Sequence, residues 1–491
     1  MKAPRSVSKS KYLSGLQCAK LLWCYYHRKK LFPETDESTQ AIFDQGHEVG
    51  SYAKRLFPNG IEIGRDHWDY DGILKESTAL LAQRKPLFEA GFLHAGGFAR
   101  VDILDPVGKD RWDIVEVKSA TKVKDVNLDD IAFQRFVYEG AGIKVRRTCL
   151  LVINNQYVRR GEVDPRQLLK REDVTDEVNA RLPGVRKNLA AMHATLRRAD
   201  EPAVDIGPHC SAPYECPLMG VCWKHVPKHS IFTLRGGRKA WDWYAAGHRA
   251  IRDLPEDVKL NGKQQIQARA IRSRKAHVDP VALRTFLQSL KFPLHFLDFE
   301  TMGPAIPLFD EARPYQAVPF QFSLHVVEAE GAKPVHHSFL AEGRGDPRFA
   351  FLKKLSADLG TKGSIVAFNA GFETNVLKQA CEAFPRFEPW RQKIEKRVVD
   401  LLVPFRDFSY YHPDQEGSAS MKAVLPAITG RGYEKLEIQE GTIASLRFLD
   451  MTYGDLPEAE KKKIRADLEA YCGLDTLGMV WIVDKLRELA K

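Results

Sequence analysis

Five polar side chains between residues 102 and 138 have the types and spacing that could hold a metal ion. Asp102 follows a short apolar segment, and Glu116 and Lys118 alternate with apolar residues in WDIVEVK. Residues two apart in a strand point to the same face, so Glu116 and Lys118 are expected side by side. Gln134 and Tyr138 lie four apart in a segment with helical periodicity, which places both on one side of a helix.

These residue types suit phosphodiester hydrolysis. Carboxylates bind Mg²⁺ or Mn²⁺, hard cations that prefer oxygen ligands, and a lysine steadies a water or the charge that develops on the phosphorane. The alternative is a surface hairpin with ordinary charges, which Glu-x-Lys alone would favour. Because Asp102 precedes this pair and the Gln134 helix follows it, we favour the metal site.

A second set of acidic residues lies in the C-terminal half. Asp298 and Glu300 end the apolar segment LHFLDFET, and their spacing lets both carboxylates reach one pair of metal ions. Glu373 opens a predicted helix after the strand-like SIVAF. Tyr471 and Asp475 lie four apart on a long predicted helix and share a face. The alternative is a set of scattered acids on an ordinary α/β domain.

Three cysteines, Cys210, Cys216 and Cys222, are equally spaced in a segment rich in proline and glycine. Three thiols in so short a stretch indicate a metal site. Their spacing differs from zinc-finger pairs, which have about two to four intervening residues, and a fourth ligand is required.

The elements that must position these residues follow from hydrophobic periodicity. Helices are predicted over 10–26 and 38–57, a hairpin leads into Asp102, and the apolar VRRTCLLVINN forms a buried strand after the Gln134 helix. With the strand and helix patterns of the C-terminal half, the fold class is α/β. At 491 residues the chain suggests several domains, predicted as 1–228, 229–285 (a helical connecting region) and 286–491.

Composition narrows the class of partner. The chain is 44% hydrophobic and 28% charged, as in a globular protein, and its net charge of +10 suits a polyanion. No apolar run approaches the roughly 20 residues that span a bilayer, and the N-terminus lacks the apolar region of a signal peptide. We therefore expect a cytoplasmic protein with no membrane partner.

The Asp102, Glu116-x-Lys118 and Gln134-x-x-x-Tyr138 pattern resembles the RecB-like branch of PD-(D/E)XK nucleases. The resemblance implies a restriction-endonuclease-like core in which Asp102 and Glu116 bind Mg²⁺ or Mn²⁺. It implies catalytic roles for Lys118, Gln134 and Tyr138. Such nucleases also place a histidine after a glycine beside the metal, and His47 after Gly46 resembles that residue.

The cysteines resemble those of RecB-like nucleases of the AddB and CRISPR-associated types, with one cysteine ahead of the core and three behind it. In those families the four hold a 4Fe–4S cluster that clasps the ends of the domain. The resemblance selects Cys18, in a Gln-Cys-x-Lys phrase, over its competitor Cys24. The spacing of the trio departs from the commonest version, so zinc is the alternative metal and buried structural cysteines are the third interpretation.

The C-terminal motifs are similar to the three exonuclease motifs of the DnaQ-like, RNase H-fold superfamily, in its tyrosine variant. The similarity implies that Asp298, Glu300 and Asp475 bind the cations and that Tyr471 orients the attacking water. The second motif normally ends in aspartate, and Glu373 departs from it. Asp400, at the end of the strand-like VVD, is another acid that could complete or replace the metal shell.

The leading hypothesis is a metal-dependent nuclease that hydrolyses DNA, from ends or on single strands, with two candidate active sites. One alternative is an RNA-processing exonuclease led by the C-terminal domain. Another is a nucleic-acid-binding scaffold whose metal sites are structural. All the proposed metal-binding carboxylates are present in the sequence, which favours an enzyme over the scaffold.

Overall fold

A computed structural model describes residues 6–66, 68–237 and 239–491 as a mixed α/β protein with two compact units. Unit 1 extends to His225 and includes Pro304–Pro307 and Arg313–Tyr315. Unit 2 comprises Val226–Gly303, Leu308–Ala312 and Gln316–Lys491. Among the described residues, no helix is both long enough and apolar enough to cross a membrane.

Unit 1 combines two sheets with flanking helices. Its strands are β1 (Val7–Ser8), β2 (Ile61–Glu62), β3 (Leu87–Phe88), β4 (Gly91–His94), β5 (Gly97–Arg100), β6 (Ile103–Val107), β7 (Arg111–Lys118), β8 (Lys144–Ile153) and β9 (Leu169–Asp173). Its helices are α1 (Lys9–Gln17), α2 (Ala19–His27), α3 (Glu37–Lys54), α4 (Tyr70–Leu80), α5 (Asp125–Gly140), α6 (Pro165–Leu168), α7 (Thr175–Leu196) and α8 (Met219–Cys222). Short 3₁₀ turns lie at Lys29–Leu31, Leu81–Gln83 and Pro208–Cys210.

The larger sheet of unit 1 has the strand order β2-β3-β6-β7-β8-β9, and the smaller has the order β1-β5-β4. β7 is antiparallel to β6 and parallel to β8, and α5 forms the crossover between β7 and β8. Because both faces of β7 are covered, Trp112–Glu116 is buried throughout instead of alternating in burial. Strand β7 therefore places the Glu116 side chain in the interior of unit 1.

The N-terminal helix differs from the sequence prediction. Instead of one helix over 10–26, the chain forms α1 and α2 with a break at Cys18, whose backbone is extended. Cys18 therefore lies at the C-terminal cap of α1 and the N-terminal cap of α2. Helical periodicity continues through such a break because the residues on both sides remain apolar on one face, so hydropathy alone does not reveal it.

Unit 2 is built around a five-stranded sheet. The five strands of this sheet are β11 (Leu294–Met302), β12 (Val318–Val327), β13 (Val335–Leu340), β14 (Ser364–Ala367) and β15 (Val398–Asp400). A separate two-stranded sheet contains β10 (His277–Val278) and β16 (Tyr410–Tyr411). Its helices are α9 (Ala240–Ala245), α10 (Gly262–Ser273), α11 (Pro280–Gln288), α12 (Arg348–Asp358), α13 (Gly371–Ala383), α14 (Glu388–Glu395), α15 (Val403–Arg406), α16 (Met421–Thr429), α17 (Gly441–Tyr453) and α18 (Glu458–Leu489). Its 3₁₀ turns lie at Ile231–Thr233, Ile251–Asp253, Pro385–Phe387 and Pro413–Gln415.

The main sheet of unit 2 has the order β13-β12-β11-β14-β15. β11 is antiparallel to β12 and parallel to β14, which is parallel to β15. Side chains of β12 hold α18 against this sheet: Gln321 Nε2 donates to Leu468 O at 2.9 Å, and the Ser323 and Thr476 hydroxyls lie 2.6 Å apart. These bonds hold α18, which carries Tyr471, against the sheet that contains β11 and Asp298.

A buried ion pair supports the strand that positions Glu116. Asp113, 1% exposed, accepts hydrogen bonds from Arg146 Nε at 2.9 Å and from Arg171 at 3.1 Å, so it links β7, β8 and β9. We expect Asp113→Ala to lower the free energy of unfolding by about 2–3 kcal/mol, because it removes the hydrogen bonds from two arginines to a buried carboxylate.

The matched control is Asp110→Ala, which removes an exposed pair with Lys144 at 2.5 Å. Exposed pairs contribute about 0–1 kcal/mol, so this variant should unfold almost as the parent does. Denaturant unfolding followed by intrinsic fluorescence compares the two. Equal effects of both variants would show that Asp113 does not support the sheet.

Candidate metal-binding sites

Glu116 is the centre of a hydrogen-bonded group in unit 1. Its carboxylate is 1% exposed, and its Oε1 accepts from Lys118 Nζ at 2.8 Å and from Lys9 Nζ at 2.6 Å. Gln134 Nε2 donates to Glu116 Oε2 at 2.9 Å and to Asp130 Oδ1 at 3.0 Å. Lys118 Nζ also contacts Asp130 Oδ2 at 2.7 Å. Strand β7 and helix α5 thus bring together two acids, a lysine and an amide.

The neighbouring lysines and carboxylates determine the ionisation state of each side chain in this group. Burial would raise the pKa of Glu116, but the ammonium groups of Lys118 and Lys9 outweigh it and lower that pKa to about 2. Burial and the Glu116 charge raise the pKa of Asp102 to about 7, against the opposing effect of both lysines. Although burial disfavours its charge, Lys118 has a pKa well above the usual lysine value because Glu116 and Asp130 surround it.

Asp102 lies between β5 and β6, where its Oδ2 accepts from Val117 N at 2.6 Å. This bond ties the acid to the backbone between Glu116 and Lys118. Tyr138 is fully buried and does not bond to these acids. Its hydroxyl donates to Ala90 O and accepts from Val101 N at 3.2 Å, so it holds the residue that precedes Asp102. Tyr138 is therefore a positioning residue in this structure.

The metal-binding role of His47 stays a prediction. His47 lies on an exposed part of α3, and no described hydrogen bond or ion pair joins it to Asp102 or Glu116. Conversely, sequence reasoning missed Asp130 and Lys9. Asp130 precedes Gln134 by four residues, so helical periodicity could have identified it. Lys9 is separated from Glu116 by 107 residues and gave no local signal.

Asp102, Glu116 and Asp130 offer carboxylate oxygens, the ligands that a hard divalent cation prefers, but no three ligand atoms of these described residues lie within 4.8 Å of one another. Gln134 Oε1 is buried and accepts no hydrogen bond from the described residues, so an acceptor is available for a water. The oxygens of Glu116, however, already accept from lysines and an amide. A cation that used Glu116 Oε1 would have to displace one of them.

The four candidate cluster ligands of unit 1 line one small, mostly apolar cavity: Cys18, Cys210, Cys216 and Cys222. Cys24 is fully buried and does not line it. Gln17, next to Cys18, holds the two sequence segments together, because its Nε2 donates to His209 O and to Tyr214 O, each at 2.8 Å. The cavity therefore joins the helix break at Cys18 to the segment that carries the other three thiols.

Zinc and a 4Fe–4S cluster require different spacings of the four sulfur atoms. In a tetrahedral zinc site, bonds of about 2.3 Å place the sulfurs roughly 3.8 Å apart. No three of these four described sulfurs lie within 4.8 Å of one another. A 4Fe–4S cluster takes four thiolates on four different iron atoms, which spreads them farther apart. The four described sulfurs thus lack the close tetrahedral spacing of zinc ligands.

In unit 2, Asp298, Glu300 and Cys472 form a group whose candidate ligand atoms all lie within 4.8 Å of one another. It is the one such group of three or more among the described residues. Asp298 and Glu300 come from β11, and Cys472 comes from α18, one residue after Tyr471. Cys472 Sγ lies 3.7 Å from Asp298 Oδ2. The two-residue spacing on β11 does bring both acids to one place.

Burial and mutual repulsion act on these acids. Burial and the charges of Asp475, Glu300 and Glu373 raise the pKa of Asp298 well above its usual value. Burial raises the pKa of Asp475 to about 7 and that of Glu373 to about 8. Glu373 Oε2 is buried without a described hydrogen-bond partner. Clustered carboxylates with an unsatisfied oxygen fit a divalent cation, which would neutralise them.

Asp400 bonds to the backbone, and Tyr433 adds a contact that the sequence did not predict. Asp400 Oδ1 accepts from the backbone N–H groups of Asn369 and Leu402, both at 3.0 Å, so it shapes the turn before α13. Sequence reasoning missed Tyr433, whose hydroxyl donates to Asp475 Oδ1. Tyr471 is 5% exposed, and its ring lies 6.1 Å from that of Tyr433. Tyr433 precedes Asp475 by 42 residues, so no short motif links them.

Known proteins resemble parts of the chain. A domain of unknown function, DUF2779, matches residues 295–420, a region that contains Asp298, Glu300 and Glu373 but ends before Asp475. The uncharacterized protein MG366 homolog of Mycoplasma pneumoniae is 25% identical over 291 residues, covering 51% of this chain and 43% of that protein. The uncharacterized protein MG366 of Mycoplasma genitalium is 26% identical over 219 residues, covering 40% and 32%. The chain thus spans less than half the length of these curated relatives.

Among solved structures, the crystal structure of SSO0001 matches 45% of this chain and 87% of that chain at 10% identity, with a TM-score of 0.24. That TM-score is too low to indicate a shared fold.

The buried acids predict how pH affects the metal-free protein. Burial raises the pKa of Glu373 to about 8, so the folded state retains a proton that the unfolded chain releases near pH 4.5. Stability therefore falls as pH rises from about 4.5 to 8. We expect Glu373→Gln to flatten this decline and to stabilise the metal-free protein at pH 8.5 by about 1–2 kcal/mol.

Thermal unfolding in a chelator between pH 5 and 8.5 measures this effect. The matched control is Glu437→Gln, at an exposed glutamate, which should keep the parent profile. If Glu373→Gln and Glu437→Gln both follow the parent, Glu373 does not titrate as its burial requires.

Proposed function

We propose that the protein is a metal-dependent nuclease that hydrolyses phosphodiester bonds of DNA at the Glu116 group of unit 1. The observation that carries this proposal is that Lys118 and Gln134 both bond to Glu116, while Asp102 bonds to the backbone of the same strand end. Metal-assisted hydrolysis uses groups of these types, and the hydrogen bonds hold them at one end of β7. The net charge of +10 suits a polyanionic substrate.

The topology of each unit supports the proposed folds. In unit 1, the antiparallel pair β6–β7 followed by the α5 crossover to parallel β8 agrees with a restriction-endonuclease-like core. In unit 2, the order β13-β12-β11-β14-β15, with three antiparallel strands followed by two parallel ones, agrees with an RNase H-like domain. We propose these two fold families on this basis.

Each residue of the Glu116 group would have a defined part. When bound at Asp102 and Glu116, Mg²⁺ or Mn²⁺ supplies a Lewis acid that activates water and stabilises the developing charge. Lys118, held between Glu116 and Asp130, places a fixed positive charge beside the scissile phosphate. Gln134 holds Glu116 Oε2 in place and presents Oε1 as an acceptor for a water.

A second activity is proposed for unit 2, because Asp298 and Glu300 form a ligand group and Glu373 has an unsatisfied oxygen beside them. Asp475 would complete a site for exonucleolytic hydrolysis of DNA or RNA. Tyr471 would orient the attacking water. The Tyr433 hydroxyl holds Asp475 in position, and the longer Glu373 side chain takes the place of the usual aspartate.

For the four cysteines we propose a 4Fe–4S cluster with a structural role. Their shared cavity supports a common metal group, and the fact that no three of these described sulfurs lie within 4.8 Å of one another favours the cluster over zinc. Bound there, the cluster supplies covalent links from Cys18 to Cys210, Cys216 and Cys222. The hydrogen bonds of Gln17 place both segments correctly before any metal binds.

Nuclease assays with Mn²⁺ on end-labelled DNA and RNA test the two sites. We expect Lys118→Ala to slow DNA cleavage by about 100-fold or more, because the fixed charge beside the phosphate is lost. Asp298→Ala should abolish the cleavage of DNA or RNA by unit 2. Matched controls are Lys122→Ala and Asp455→Ala, both at exposed positions. If neither site variant changes cleavage, both site assignments are wrong.

Iron content tests the cysteine assignment. Anaerobically purified protein should be brown and contain roughly four iron atoms per chain. Cys18→Ala should lose the colour and the iron, whereas Cys24→Ala should keep both, because Cys24 does not line the cavity. Colourless protein with stoichiometric zinc would contradict the proposal.

A further inference from the structure

Two lysines bond to the same oxygen of Glu116. Lys118 Nζ lies 2.8 Å and Lys9 Nζ lies 2.6 Å from Glu116 Oε1. Lys118 is also anchored by Asp130 at 2.7 Å, whereas Glu116 is the one ion-pair partner of Lys9 among the described residues. Lys9 is therefore the lysine that can leave without breaking a second ion pair.

The charge count shows what Lys9 replaces. When Asp102 is ionised, as it would be with a bound cation, Asp102, Glu116 and Asp130 contribute three formal negative charges and the two lysines contribute two positive ones. With Lys9 in place, one formal negative charge remains. If Lys9 leaves, two remain, which matches a divalent cation. The fields of all three carboxylates act on the Lys9 ammonium, so it occupies the position where a cation is stabilised.

Lys9 is also unusual in its helix. It is the first residue of α1, where the helix dipole disfavours a positive charge, and the first turn contains no acid to offset it. The rest of α1 is fixed: the Tyr12 ring stacks on Phe133 at 4.5 Å, and a Cβ added at Gly15 would lie 2.7 Å from Met192 Cε. Departure of Lys9 thus requires rotation of its side chain and no movement of the helix.

We propose that Lys9 is an internal cation that occupies the metal position of the Glu116 group in the metal-free protein and is displaced when Mg²⁺ or Mn²⁺ binds. The proposal rests on the proposed metal site of unit 1. Lys9 offsets part of the negative charge of these acids until metal binds, and it lowers the metal affinity because the two cations compete for Glu116 Oε1. The competition sets the metal concentration at which the site fills.

Lysine reactivity tests the displacement in the unaltered protein. Acetylation by a succinimidyl ester, followed by peptide mass spectrometry, reports the exposure of each ammonium group. Addition of Mn²⁺ should raise the modification rate of Lys9 by about tenfold or more, while Lys118 stays protected and exposed Lys30 is unchanged. An unchanged or slower rate at Lys9, under conditions where Mn²⁺ binds, would overturn the proposal.

Mn²⁺ affinity provides the second test, and it distinguishes a wrong metal site from a wrong role for Lys9. Titration calorimetry is done in an Asp298→Asn, Asp475→Asn background, so that unit 2 does not contribute. Lys9→Met, which keeps the aliphatic stem, should bind Mn²⁺ about tenfold more tightly, and Lys30→Met should match the parent.

Asp102→Asn should abolish this binding. If it does not, the metal site itself is misassigned and both proposals fail. If Asp102→Asn abolishes binding but Lys9→Met binds Mn²⁺ equally or more weakly, the metal site stands and Lys9 is not its competitor.

Discussion

Neutralisation of buried negative charge is the constraint on which both acidic groups depend. A carboxylate removed from water must gain a cation, gain hydrogen bonds or take up a proton. In unit 1, lysine ammonium groups keep Glu116 ionised, with its pKa lowered to about 2. In unit 2, burial and mutual repulsion raise the pKa of Glu373 to about 8, so the metal-free acids retain protons. The two units meet the same requirement by different means.

This difference follows from the elements that surround each group. In both units a central strand supplies acidic residues, Glu116 from β7 and the Asp298–Glu300 pair from β11. In both, one helix adds residues four apart: Asp130 and Gln134 from α5, and Tyr471 and Asp475 from α18. In unit 1 the strand and the N-terminal helix also provide lysines, whereas α18 adds a buried thiol and a phenol. A metal ion would thus replace a lysine in unit 1 and protons in unit 2.

Local periodicity could be read from the sequence, and it correctly grouped residues that share one element. The two-residue spacing of Asp298 and Glu300 and the strand–helix order around Glu116 are of this kind. Contacts between distant segments could not be read in this way. Lys9 and Tyr433 join their sites from 107 and 42 residues away, and only the tertiary fold brings them there.

Shared periodicity also does not say what each side chain bonds to. Gln134 and Tyr138 lie on the same helix, yet Gln134 bonds to Glu116 while Tyr138 bonds to the backbone at Ala90 and Val101. Asp400 lies at the predicted strand end, but backbone N–H groups occupy one of its oxygens. His47 lies at an exposed position of α3. Whether a polar side chain serves a site or the surrounding backbone depends on partners that short motifs do not contain.

We propose that the chain has two separate cation sites and one iron–sulfur site. Anomalous diffraction from crystals grown anaerobically and soaked in Mn²⁺, recorded at the manganese and iron edges, tests it most directly. The account predicts manganese peaks at Asp102 and Glu116 and at Asp298, Glu300 and Asp475, with iron among the four cysteines. Absence of manganese from both carboxylate groups at saturating Mn²⁺ would contradict it.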